Sequence, residues 1–122
     1  MVVDTGVFIE FLRASNKLKT SLINLPDNSE IYISSISLYE LYMGAISPEK
    51  WRDIQTLTED IPVLSFTKIV SEKAGSIYHE LRKQNQLIEF RDIFIAATAL
   101  VHDMPVLHEI KSTSLEFEIL NW

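Results

Sequence analysis

The hydrophobic pattern opens with a short apolar run, Met1-Val2-Val3, that stops at Asp4-Thr5-Gly6. Apolar residues followed by an acid, a hydroxyl and a glycine read as a short buried strand ending in a turn. From Val7 to Leu12 the spacing of Phe8, Phe11 and Leu12 becomes helical. Asn16 to Ser29 reads as a second helix carrying Leu18, Leu22 and Leu25, closed by the polar turn Pro26-Asp27-Asn28-Ser29. Glu30 to Ser34 is a second strand, and Ile36 to Ile46 a helix that ends near Ser47-Pro48. Pro48 then opens a helix carrying Trp51, Ile54 and Leu57, followed by a third strand at Pro62 to Ser65. Ala74, Ile77, Tyr78 and Leu81 keep the i, i+3, i+4, i+7 spacing of an amphipathic helix. Asp92 to His102 is a helix that is apolar almost all round, hence buried. Pro105 to Leu107 gives a fourth strand and Glu118 to Leu120 a fifth.

Short apolar strands alternating with helices predict an α/β fold, a short parallel sheet covered by helices on both faces. The 122 residues show no repeat, linker or low-complexity tract, so one domain over 1–122 is expected. In such sheets ligands bind outside the carboxyl ends of the strands. Asp4, the segment Ser34 to Ser37 and the pair His108-Glu109 all fall at such ends.

Composition narrows the chemistry. With no cysteine there is no disulfide framework, thiolate zinc site or Cys nucleophile. The longest apolar stretch, Ile93 to Val101, is far short of the roughly 18 residues of a membrane span. No basic and apolar leader opens the chain, so a cytoplasmic location is expected. The net charge of -6 argues against a protein that simply coats nucleic acid. It leaves open an enzyme that meets phosphate through a metal ion.

Three acids stand in apolar company. Asp4 is the only charged side chain from Met1 to Ile9, Glu40 the only one between Glu30 and Glu49, and none follows Asp92 until Asp103. Each has an ordinary explanation. Asp4 or Thr5 could cap the helix at Val7, Ser37-Leu38-Tyr39-Glu40 fits a capping box, and Asp92 could start its helix. Together they are harder to dismiss. The stripe Leu38, Leu41, Tyr42, Ala45 buries one helix face, while Ile36, Tyr39 and Met43 occupy the other, so Glu40 has no polar face to sit on. Carboxylates removed from water and brought together need compensation, and a hard divalent cation, Mg²⁺ or Mn²⁺, supplies it through oxygen ligands. Arg91 and Arg13 are the candidate contacts for a polyanion, with Lys17 and Lys19 beside them. His79 is expected at the surface, His102 at a helix end and His108 near the acids. Trp51, Tyr39, Tyr42 and Trp122 belong to the core or to a partner surface.

The stretches Val2 to Ile9, Ile33 to Ala45 and Ile88 to Leu100, with the closing Leu120-Asn121-Trp122, give the chain a family likeness. It resembles the PIN-domain nucleases, most closely the small VapC-type toxins of prokaryotic toxin–antitoxin pairs. The resemblance implies a single PIN-like α/β domain acting as a metal-dependent endoribonuclease on RNA, with one or two Mg²⁺ or Mn²⁺ ions. Asp4, Glu40 and Asp92 match the family's acidic ligands, and Thr5 the hydroxyl that supports the first of them. It also implies a homodimer and a cognate antitoxin that blocks the acidic site. Two positions depart from the family: Gly6 stands where Asn is usual, and Ile110 where a polar residue usually follows the fourth strand. Glu109 and His108 are the candidates to stand in for it. The alternative is a PIN-like domain that binds partners without catalysis. A dehalogenase-type phosphatase would need an acid at Gly6, and a receiver domain an acid and a lysine at strand ends occupied by Ser65 and His108.

Overall fold

The computed structural model describes residues 1–86 and 88–108. Its elements run β1 (Val2–Val3), α1 (Thr5–Arg13), a 3₁₀ turn (Lys17–Lys19), β2 (Ile33–Ser34), α2 (Ser35–Met43), α3 (Pro48–Thr58), β3 (Val63–Leu64), α4 (Lys68–Lys83), α5 (Phe90–Val101) and β4 (Val106–Leu107). β1 pairs in parallel with β4, and β2 with β3. A parallel bridge between Val2 and Tyr32 joins the two halves, so the strands lie in the order β4, β1, β2, β3. The chain steps outward from β1 to β3 on one side and returns to the other side for β4. The order therefore reverses between β1 and β4, where a parallel sheet opens a crevice at its carboxyl edge.

The sheet has helices on both faces, as its pattern requires. Successive strand residues point to opposite sides. Val3 joins Val7, Phe8, Ile33, Leu41 and Ile54 in a core beneath α1, α2 and α3. Val2 packs on the other side with Ile95 and Ala99 of α5. α4 and α5 close over a third cluster of Val70, Ala74, Ile93 and Ala97. α5 is less uniformly buried than its sequence suggests, because Phe90 and Leu100 are exposed.

Helix ends follow local chemistry. Ser34, Ser47 and Thr67 each accept a hydrogen bond from the third residue beyond, capping α2, α3 and α4. α4 and α5 end in the same six-residue device. The amide of Gln86 donates to the Leu81 carbonyl and that of Met104 to the Ala99 carbonyl, around left-handed Asn85 and Asp103 (φ 56° and 53°). Such turns usually recruit glycine, and here short polar side chains take its place.

The second helix expected over Asn16 to Ser29 does not form. Only the 3₁₀ turn at Lys17–Lys19 is regular there, with Leu18 exposed and Leu22 packed against the core. Lys17 explains the break. Its Nζ donates to the carbonyls of Phe11, Leu12 and Ala14, at 2.7, 3.3 and 3.4 Å, and lies over the Phe11 ring. A cation on the last carbonyls of α1 favours that helix end and holds the chain in a tight reversal. The expected fifth strand, Glu118 to Leu120, lies outside the described residues. Among the described residues no helix is long and apolar enough to cross a membrane.

Phe8 is fully buried. Phe8→Ala is expected to lower the unfolding free energy by about 3–5 kcal/mol. Leu18→Ala, at an exposed site, should change it by about 0.5 kcal/mol or less. Urea denaturation of both variants checks the contrast.

Candidate active site

Three segments deliver the acids to the crevice. Asp4 follows β1 directly, its amide donating to the Leu107 carbonyl of β4 (2.8 Å). This fixes it between the two strands where the order reverses. Glu40 lies in the middle of α2, and Asp92 in the first turn of α5. Asp4 and Asp92 are both buried.

None of the ordinary helix-start explanations is realised as a hydrogen bond. Asp4 occupies the position before α1, but its side chain does not cap that helix. Ser34, not Ser37, caps α2, which places Glu40 beyond any capping box. Asp92 does not cap α5, where Glu89 holds that position, but it lies in the first turn as the dipole reading expects. Both carboxylate oxygens of Asp92 are sealed from water with no hydrogen-bond partner among the described residues. Burial raises its pKa to about 7, helped by the negative charge of Asp4, then of Glu89 and least of Glu40, with Arg91 opposing.

Glu40 is treated differently. Its side chain is 8% exposed, and both oxygens are engaged. The Thr5 hydroxyl, buried at the start of α1, donates to Oε1 at 3.4 Å. Arg91 Nη1 donates to Oε2 at 3.0 Å. Arg91 is itself anchored on Glu89, Nε and Nη2 standing 2.9 and 2.8 Å from one carboxylate oxygen. Its hydrogen bonds to Glu40 and Glu89 raise its pKa above the ordinary guanidinium value. The chain Glu89–Arg91–Glu40 was not legible in advance, because Arg91 and Glu40 lie 51 residues apart. Its only local trace is an arginine placed between Glu89 and Asp92.

The acids converge electrostatically without closing into a cage. Among the described residues no set of three acidic or histidine side chains stands close enough to hold an ion in the positions seen here. The donor chemistry nonetheless suits a hard cation: buried carboxylate oxygens, two of them orphaned on Asp92. His108 follows β4, half-buried, with Nδ1 sealed from water and unpartnered among the described residues. Glu109 lies outside the described residues. Arg13, at the exposed end of α1, lines a hollow of about 260 Å³ that also reaches Glu40 and Lys50. On the other side of Glu40 an open groove of about 580 Å³ is walled by Ile36, Tyr39, Met43, Phe90 and Phe94. The expected aromatic roles divide: Tyr42 packs on Trp51 at 4.5 Å, while Tyr39 is exposed along the groove.

The raised pKa of Asp92 gives stability a definite pH dependence. Between about 4 and about 7 the folded state binds more protons at Asp92 than the unfolded state. Its contribution therefore falls as pH rises through that window. In chelator-treated protein, the stability of Asp92→Asn relative to the parent should grow from pH 5 to pH 8. The gain should reach a few kcal/mol, since a tenfold change in proton affinity is worth about 1.4 kcal/mol. Urea titrations at the two pH values measure it.

The PIN domain profile matches residues 1–109. Ribonuclease VapC3 of Methanocaldococcus jannaschii is 30% identical over 96 residues, spanning 79% of this chain and 94% of that protein. Ribonuclease VapC10 of Mycobacterium tuberculosis is 29% identical over 104 residues, spanning 85% and 77%. Among solved structures, VapBC-1 from nontypeable Haemophilus influenzae superposes with a TM-score of 0.73 at 27% identity, covering 97% of this chain and 90% of that one. VapBC2 from Rickettsia felis, bound to a DNA fragment from its promoter, has the same fold, with a TM-score of 0.77 at 21% identity over 98% and 92%. The profile match over residues 1–109 and these relatives show that the chain belongs to the PIN domain family, and that its kin are of the VapC type.

Proposed function

We propose that this chain is a divalent-cation-dependent endoribonuclease and the toxin of a toxin–antitoxin pair. The observation that carries the proposal is Asp92, whose two buried oxygens meet no donor among the described residues while facing the charge of Asp4. A structural carboxylate would be expected to find hydrogen bonds, and one so placed is costly unless a cation completes it. Asp4 and Asp92 would hold the ion or ions, with Glu40 as the third acid. A bound Mg²⁺ or Mn²⁺ supplies a more acidic water and polarises the phosphoryl oxygen.

The chain's own residues then have distinct tasks. Asp4 is fixed by the β1–β4 pairing and Asp92 by the first turn of α5, so both are held by regular elements. Glu40, which accepts a hydrogen bond from Thr5, would orient the attacking water. His108 is the described residue at the fourth position, where the family's usual polar group is replaced by Ile110. Arg91 and Arg13, which line the hollows on either side of Glu40, are the candidate contacts for a phosphate backbone. The relatives named after VapBC complexes, and the apolar groove beside Glu40, support an antitoxin segment as the natural partner. A homodimer in the cytoplasm belongs to the same proposal.

Cleavage of a panel of labelled RNAs in Mg²⁺ or Mn²⁺ tests it. The expected result is cleavage abolished by EDTA. Outer partners of metal ligands already cost about 10–100-fold, so Asp92→Asn should reduce the rate about a hundredfold or more. No cleavage of any RNA, together with no Mn²⁺-dependent rise in melting temperature, would instead identify a domain kept for binding alone.

A further inference from the structure

Arg91 occupies an unusual position for a cation. Among the described residues it is the one partner of Glu40 Oε2, at 3.0 Å, and it is tied from behind by Glu89. Its side chain is 42% exposed, whereas that of Glu40 is 8% exposed, so the guanidinium closes over the acid from the solvent side. The other oxygen, Oε1, accepts from the Thr5 hydroxyl at 3.4 Å. Both oxygens of the third acid are thus engaged by Thr5 and Arg91. Consistent with this, no three donors among the described residues converge as they stand.

A guanidinium and a divalent cation make incompatible demands on one carboxylate. Both seek the same lone pairs, and they repel each other at short range. Arginine cannot relieve the conflict by losing its proton. The geometry points to Arg91 as an internal occupant of the cation site: it holds Glu40 away from Asp4 and Asp92, and it must release Glu40 before the third acid can join a bound ion. Arg91 is thereby a positioning residue that acts through Glu40, and the release weakens cation binding by the strength of the Arg91–Glu40 pair. This inference rests on the cation site proposed above.

The test is a Mn²⁺ titration of the full chain, with free Mn²⁺ read from its electron paramagnetic resonance signal. The parent is compared with Arg91→Ala, with Arg91→Gln and with Arg52→Ala. Arg52→Ala removes the same charge from an exposed position on α3. Circular dichroism melts establish that each variant is folded, and Arg91→Gln keeps a long polar side chain where alanine would loosen the start of α5. Both Arg91 variants should bind Mn²⁺ tighter by about fivefold, the scale of one partly exposed ion pair. Arg52→Ala should stay within about twofold of the parent. Unchanged or weaker binding in the Arg91 variants, with the parent still binding, overturns the inference and leaves the cation site standing. An equal gain in Arg52→Ala also overturns it, since net charge alone would then explain the effect. If neither parent nor variants bind Mn²⁺, the cation site itself falls and the inference with it.

Discussion

Carboxylates that share a pocket closed to water raise one another's energy unless a positive charge or a set of donors comes between them. Asp4 and Asp92 meet under that condition, and Asp92 lacks the donors that would relieve it. The architecture exists to enforce the encounter. β1 is buried on both sides, and its carboxyl end is clamped by β4, so Asp4 cannot turn outward without breaking strand pairing. α5 is packed on the sheet through Ile95 and Ala99 and on α4 through Ile93 and Ala97, so Asp92 is carried inward on a helix that has no freedom to roll. Hydrophobic burial thus holds the acids together against their repulsion.

The two ends of the acidic site are balanced differently. Asp92 is left in deficit, while Glu40 is satisfied twice, by a hydroxyl from α1 and a guanidinium from α5. One helix therefore brings both the acid whose pKa burial raises and the cation that pairs with Glu40, on adjacent residues. Because Arg91 and Asp92 project in different directions from the first turn of α5, a single element sets opposite electrostatic conditions a few ångströms apart.

Much of this was legible in the sequence, for identifiable reasons. Each acid interrupts a long uncharged stretch, and such interruptions survive any error in drawing helix ends. The strands were visible because both faces of a covered parallel sheet are apolar. What escaped had causes in distance or in competition. The 3₁₀ turn replaced the expected helix because Lys17 folds back on the end of α1, a contact that hydrophobic spacing does not encode. The capping box at Ser37 looked sound, yet Ser34 was equally able to cap and lay at the end of a strand, where α2 could begin at once. The Arg91–Glu40 pair joins elements with no sequence relation, and only the packing of α2 near α5 creates it.

The register of the sheet has a consequence for how the molecule is made. Val2 and Val3 lie between Tyr32 on one side and Val106 and Leu107 on the other. The pairing that traps Asp4 therefore cannot form until about a hundred more residues have left the ribosome, a wait of roughly 5–20 s at ordinary synthesis rates. During most of that interval the first acid follows an apolar strand that lacks its β4 partner, and Asp92 has yet to be built. The acidic centre of such a nascent chain therefore comes into being only once β4 has been made, about a hundred residues behind the acid that it traps.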